Sequence, residues 1–254
     1  MSNKPKFCLD TSIFHELFKA DQKDFEDTIE KYAPGRRFAA YYTAIELNRG
    51  FLRTLVEHHR TVTDLQDVTA AIRKLGNGYG RVKSNAITLE VYMLKFNHCV
   101  SDDYRQYAAS LESVIFDMSD RATQLVRHFV GNFKDHALAN LDLYNSEEYE
   151  GFLERCEQHS DVNLEDFWTR YDAQLSKMLD EILKRAPRLK KSELELYEFI
   201  ENVLSGESPA KYEHLSDFVI SLDCPSGYGM IAHDHSFEML CPLQGKNVQY
   251  VTFP

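Results

Sequence analysis

Two short apolar strings, one near each end of the chain, both finish on an aspartate: Phe7-Cys8-Leu9-Asp10 and Gly229-Met230-Ile231-Ala232-His233-Asp234. Apolar runs of this length read as buried strands. A buried strand that ends on a carboxylate is the pattern of an open α/β sheet, where ligands bind at the carboxyl ends of the strands. Such a sheet has to be assembled from both ends of the chain, which leaves the middle to be accommodated elsewhere. Two further acids stand in comparable places. Glu46 follows the apolar stretch Phe38-Ala39-Ala40-Tyr41-Tyr42-Thr43-Ala44-Ile45, and Asp217 opens Asp217-Phe218-Val219-Ile220. Four carboxylates near strand ends and helix starts form a donor set suited to a hard divalent cation.

In this order the motifs resemble the PIN-domain nucleases. Leu9-Asp10-Thr11-Ser12 matches the family's first strand and its Asp-Thr-Ser. Thr43-Ala44-Ile45-Glu46-Leu47-Asn48-Arg49-Gly50 matches its Thr-x-x-Glu-Leu with a following Gly. Asp217 matches the Asp that opens an apolar helix, and Asp234-His235-Ser236-Phe237 matches the last Asp with Phe three residues on. The resemblance spans roughly residues 5–60 and 206–254. It departs from the family pattern at Ala232, where Thr is common, and at Ser236, where a further acid is common.

The resemblance implies a three-layer α/β/α parallel sheet formed by both chain ends, a discontinuous nuclease domain over 1–59 and 206–254. Residues 60–205 would be an inserted all-α subdomain. It also implies a phosphodiester hydrolase using Mg²⁺ or Mn²⁺, leaving a 3′-hydroxyl and a 5′-phosphate. Asp10, Glu46, Asp217 and Asp234 would be its catalytic and metal-binding residues. Carboxylates brought together repel one another unless a cation neutralises them, which is the physical reason to expect the ion. Thr11 and Ser12 would position Asp10 and border the substrate. Arg49 and Arg53, one helical turn apart, are phosphate candidates because guanidinium matches phosphate geometry. Arg36 and Arg37 are others. His233 and His235 flank Asp234 and, within a strand, would face the opposite side from it. Each residue has a simpler structural reading. Thr43 with Glu46 three residues on is a capping-box pattern. Asp223, just before Pro225, reads as a helix end.

The 254 residues carry a net charge of −11, which opposes indiscriminate binding along nucleic acid. The charge is unevenly spread, however. Residues 49–95 hold eight basic residues against four acidic ones, and Lys184, Arg185, Arg188, Lys190 and Lys191 form a second basic cluster. Solvated helix faces account for both as simply as a nucleic-acid surface does. Five scattered cysteines, at 8, 99, 156, 224 and 241, have no metal-ligand spacing. They speak against zinc and for reduced thiols in a cytoplasm. No apolar run approaches a membrane span, and the N-terminus lacks the apolar core of a signal peptide.

Helical periodicity predicts a largely α-helical middle. Helices are expected over 62–75, 84–99 and 103–141, the last with Leu111, Val114, Ile115, Met118, Ala122, Leu125, Val126 and Phe129 in one stripe. More are expected over 146–159, 164–185 and 192–204, their aromatic residues serving as core. Within the nuclease reading, RNA is preferred over DNA and a toxin or defence role is the leading biology. An inhibitory protein partner and a homo-oligomer are then expected as possible partners. The rival readings are a non-enzymatic PIN-like module working through its helical insertion, and a structure-specific DNA nuclease.

Overall fold

The computed structural model describes residues 5–19, 35–47, 52–77, 101–129, 164–185, 188–207 and 214–251, with isolated positions between them. The chain is an α/β protein built on a four-stranded parallel sheet. β1 (Lys6–Leu9) and β2 (Arg36–Ala39) come from one end of the chain, β3 (Gly229–Ala232) and β4 (Val248–Tyr250) from the other. The strand order is β2-β1-β3-β4, so the two chain ends meet at the centre, with Leu9 opposite Ile231. The chain moves outward to β2 on one side of β1 and returns to the other side as β3. The β1/β3 boundary is therefore the point where the strand order reverses, and the crevice at the carboxyl ends of those strands is where such sheets bind ligands. Cys8, Leu9, Met230, Ile231 and Ala232 have no measurable exposure, as a sheet covered on both faces requires. Gly35 allows β2 to enter beside β1. Its φ is +142°, and a Cβ there would lie 2.3 Å from the Pro5 carbonyl oxygen.

Helices follow the strands. α1 (Thr11–Lys19) leaves β1 directly, and α2 (Tyr41–Glu46) leaves β2. Thr43 therefore lies inside α2 and is not its N-cap, contrary to the capping-box expectation. The predicted helix over 62–75 is two helices, α3 (Arg53–Leu65) and α4 (Val68–Gly76). They part at Gln66, which adopts left-handed φ 51°, and Asp67, whose side chain caps Ala70 N–H. Periodicity ran across the break because the apolar spacing continues while the backbone does not.

The central region is helical where it is described. α5 (Tyr104–Phe129) packs along α3 and reaches β2. Leu111, Val114, Ile115 and Met118 of the predicted stripe are fully buried and join the same apolar cluster as Cys8 and Ile231. Side chains beyond 118 in that stripe, and the helix expected over 146–159, lie outside the described residues. The helix expected over 84–99 is helical at the positions described there.

α6 (Glu165–Leu183) and α7 (Lys191–Ser205) pair as a hairpin, and α7 ends at Gly206 in the left-handed conformation (φ 72°). Their aromatic residues serve as core, as the sequence suggests. Trp168 stacks on Phe218 at 6.0 Å, and Phe199 meets Phe218 edge-on at 5.8 Å. Phe218 belongs to α8 (Leu215–Asp223), so the hairpin braces the helix that carries Asp217. α9 (Phe237–Leu243) links β3 to β4. No helix among the described residues is long and apolar enough to cross a membrane.

Candidate functional site: an acidic crevice at the sheet edge

Asp10 directly follows β1 at the strand-order reversal and is 3% exposed. Its backbone N–H continues the β3 pairing by donating to the Ile231 carbonyl at 2.9 Å. Its Oδ2 accepts the Ser12 N–H at 3.1 Å and the Ser12 hydroxyl at 2.5 Å. The residue therefore caps α1, the ordinary reason for an Asp at that place. Capping occupies one oxygen only: Oδ1 is buried with no hydrogen-bond partner among the described residues.

Glu46, at the end of α2, and Asp217, in the first turn of α8, are also buried. Glu46 Oε2 accepts the Thr11 hydroxyl at 2.6 Å. Asp217 Oδ2 accepts the Ser236 hydroxyl at 2.7 Å, with His214 Nδ1 at 3.7 Å. Three buried acids from separate parts of the chain thus lie close enough for Asp217 and Glu46 to act on Asp10. Burial, then the charge of Asp217, then that of Glu46 push its carboxyl up to about 8; the Ser12 hydrogen bonds only partly offset this.

Asp234 is placed differently from the other three. β3 ends at Ala232, so Asp234 sits in the following turn, exposed, with its Oδ1 accepting the Ser236 N–H at 2.9 Å. Strand alternation therefore does not govern His233 and His235. The His233 N–H donates to Ser12 Oγ at 3.1 Å, which ties this turn to the hydroxyl that holds Asp10.

Of the basic candidates, Arg53 is exposed and paired with Glu57 at 2.9 Å, and it opens a helix separate from that of Glu46. Arg37 pairs with Glu30. Arg49 and the Arg36 side chain lie outside the described residues. Asp223 is the last residue of α8 and accepts the Tyr171 hydroxyl at 3.0 Å, in keeping with its helix-end reading.

Two residues at the site escaped the sequence reading. Ser236 looked like a lost acid; its hydroxyl is bound to Asp217. His214 lies one helical turn before Asp217, and that spacing was the available signal.

The donor chemistry suits a hard divalent ion: buried carboxylate oxygens, of which Asp10 Oδ1 has no hydrogen-bond partner among the described residues. Among the described residues, however, no group of three or more His, Cys, Asp or Glu side chains is arranged to hold a metal ion. Thr11 and Ser236 take up an oxygen each of Glu46 and Asp217. The fold and crevice define the class as an α/β protein with a parallel sheet and an acidic site at its carboxyl edge. Comparison with family models, curated proteins and solved structures finds no match in any of the three.

Proposed function

We propose that this chain is a PIN-like, Mg²⁺- or Mn²⁺-dependent phosphodiester hydrolase, an endoribonuclease in its simplest form. The observation that carries the reading is the convergence of Asp10, Glu46 and Asp217 at the strand-order reversal. Burial first, and then the charges of Asp217 and Glu46, push the Asp10 carboxyl up to about 8. Folds seldom retain a buried, mutually repelling acid cluster without a counter-ion, and perturbed carboxylates in a crevice mark functional sites.

Asp10, Asp217 and Glu46 would hold the ion, with Asp234 joining from the rim. A bound divalent ion supplies a more acidic water and positive charge against the phosphodiester. The chain's own hydroxyls do the positioning: Ser12 orients Asp10, Thr11 holds Glu46, and Ser236 holds Asp217. Thr11 and Ser12 also border the path of a substrate strand, and Arg49 and Arg53 remain phosphate candidates. A toxin or defence ribonuclease, restrained by a protein that covers the crevice, suits this chemistry, and self-association through the helical region is compatible with it.

A non-enzymatic PIN-like module is the second reading. Ser236 and the exposed Asp234 favour it, because both loosen the acidic set at one corner.

Wild type and Asp10→Asn, given the same single-stranded RNA with Mn²⁺, with and without chelator, test the proposal. Cleavage by wild type alone, abolished by chelator, is expected. Equal cleavage by both proteins would place the activity elsewhere. Cleavage of DNA and not RNA would favour the structure-specific DNA nuclease. No cleavage of either would favour the interaction module.

A further inference from the structure

The turn after β3 does more than deliver Asp234. It is pinned at two points to the acidic crevice, by the His233 N–H on Ser12 Oγ at 3.1 Å and by the Ser236 hydroxyl on Asp217 at 2.7 Å. Between these pins His235 turns outward. Its ring lies on Tyr250 with centroids 4.8 Å apart and planes inclined by 31°. Its Nδ1 is 2.8 Å from Glu238 Oε1, which fixes the ring about its own axis. The side chain is nonetheless 79% exposed, so the face turned away from Tyr250 is open to solvent. Tyr250 is itself level with Ala232 in the β3–β4 register, at the same carboxyl edge as Asp10. An aromatic ring backed by Tyr250 thus stands at the carboxyl edge of the sheet, one residue beyond Asp234.

We infer that the His235–Tyr250 pair is a stacking platform for a nucleobase of single-stranded nucleic acid, the base that flanks the phosphate seated in the acidic crevice. The inference rests on the nuclease reading and adds to it the recognition of a base. Several features favour this use. An exposed ring already in contact with a second aromatic and a carboxylate loses less freedom when a base closes over it than an unsupported ring would. Stacking on aromatic side chains, His among them, is the common way proteins hold unpaired bases, and it tolerates any base because each has a π-face. It also needs no cluster of Lys and Arg, which suits a chain of net charge −11. A duplex, whose bases are stacked on one another, could not use the platform.

The test measures binding of the full chain to short single-stranded RNAs in Ca²⁺, one intact and others lacking a single base at successive positions. His235→Ala is expected to weaken binding of the intact strand by roughly 5- to 150-fold. His235→Phe should restore it and His235→Gln should not, which separates a ring face from a charge or a hydrogen bond. At one position, removing the base should weaken wild type by a similar factor and leave His235→Ala unchanged. Independent, multiplying effects of the two changes at every position would overturn the platform while leaving the nuclease reading intact. So would full rescue by Gln. Failure of the folded wild type to bind any single strand would overturn both.

Discussion

At the residue scale the site is a matter of which oxygens are occupied. Ser236 stands where a further acid was expected, and its hydroxyl is bound to Asp217. A hydroxyl removes one negative charge from the corner and supplies a donor in its place. Asp10 carries the remaining strain. Its carboxyl is raised from 3.8 to about 8, so the folded chain holds a proton that the unfolded chain releases. The associated stability is complete below pH 3.8 and is lost as pH rises toward 8. Asp10→Asn should therefore raise the metal-free melting temperature by several degrees at pH 8 and by little near pH 4. Asn caps a helix as well as Asp does, so α1 should survive the change. A lower melting temperature at pH 8 would contradict the account. His58 runs the other way. It is 3% exposed, with Nε2 3.2 Å from the Tyr107 hydroxyl, and burial lowers it from 6.5 to about 4. Its stability is present above pH 6.5 and lost as pH falls toward 4, a loss of about 3 kcal/mol from this group. His59, lowered chiefly by burial, adds in the same direction. Urea unfolding of His58→Leu across that window should show a shallower decline than wild type, and an identical decline would sink the assignment.

At the scale of elements, one buried lysine holds the far end of α8. Lys246 is 7% exposed, and its Nζ donates to the Ser221 carbonyl at 2.5 Å, the Cys224 carbonyl at 2.6 Å and Gln244 Oε1 at 2.9 Å. The last carbonyls of a helix carry partial negative charge and need donors, and an ammonium provides three. Lys246→Met keeps the stem and leaves those acceptors unpaired. A cost of about 2–4 kcal/mol is expected in chemical denaturation, and an unchanged midpoint would show that water replaces the ammonium. The same lysine lies close to Cys8 and Cys224, two buried thiols brought near each other although 216 positions separate them in sequence. Spacing along the chain could not reveal that pair. Nor could it reveal the break at Gln66-Asp67 or the end of β3 at Ala232, because both depend on where a backbone turns and not on which positions are apolar.

At the scale of the molecule, the crevice exists only when the chain is folded. Asp10, Glu46 and Asp217 come from a strand end, a helix end and a helix start, and nothing in the unfolded chain gathers them. Ligand binding to the folded state alone adds stability as concentration rises past the dissociation constant, about 2.7 kcal/mol at a hundredfold excess. Mn²⁺ at that excess should raise the wild-type melting temperature by roughly 5–10 °C. Asp10→Asn and Asp217→Asn should each lose most of the gain; a shift that persists in both would place the ion elsewhere. By itself the sequence determined the α/β class, the two-ended origin of the sheet and the helical middle, because these follow from apolar periodicity and from where the strands stop. It also singled out Asp10 and Glu46, acids directly after apolar stretches, and Asp217, an acid that opens one, since each is a local pattern. Tertiary structure alone decided the strand order that puts Asp10 at the reversal, the outward placement of Asp234, and the hydroxyls on Glu46 and Asp217. The hydroxyl contacts join residues 19 and 35 positions apart, and the strand order joins the two ends of the chain. Their energies depend on burial and distance, which no local pattern encodes.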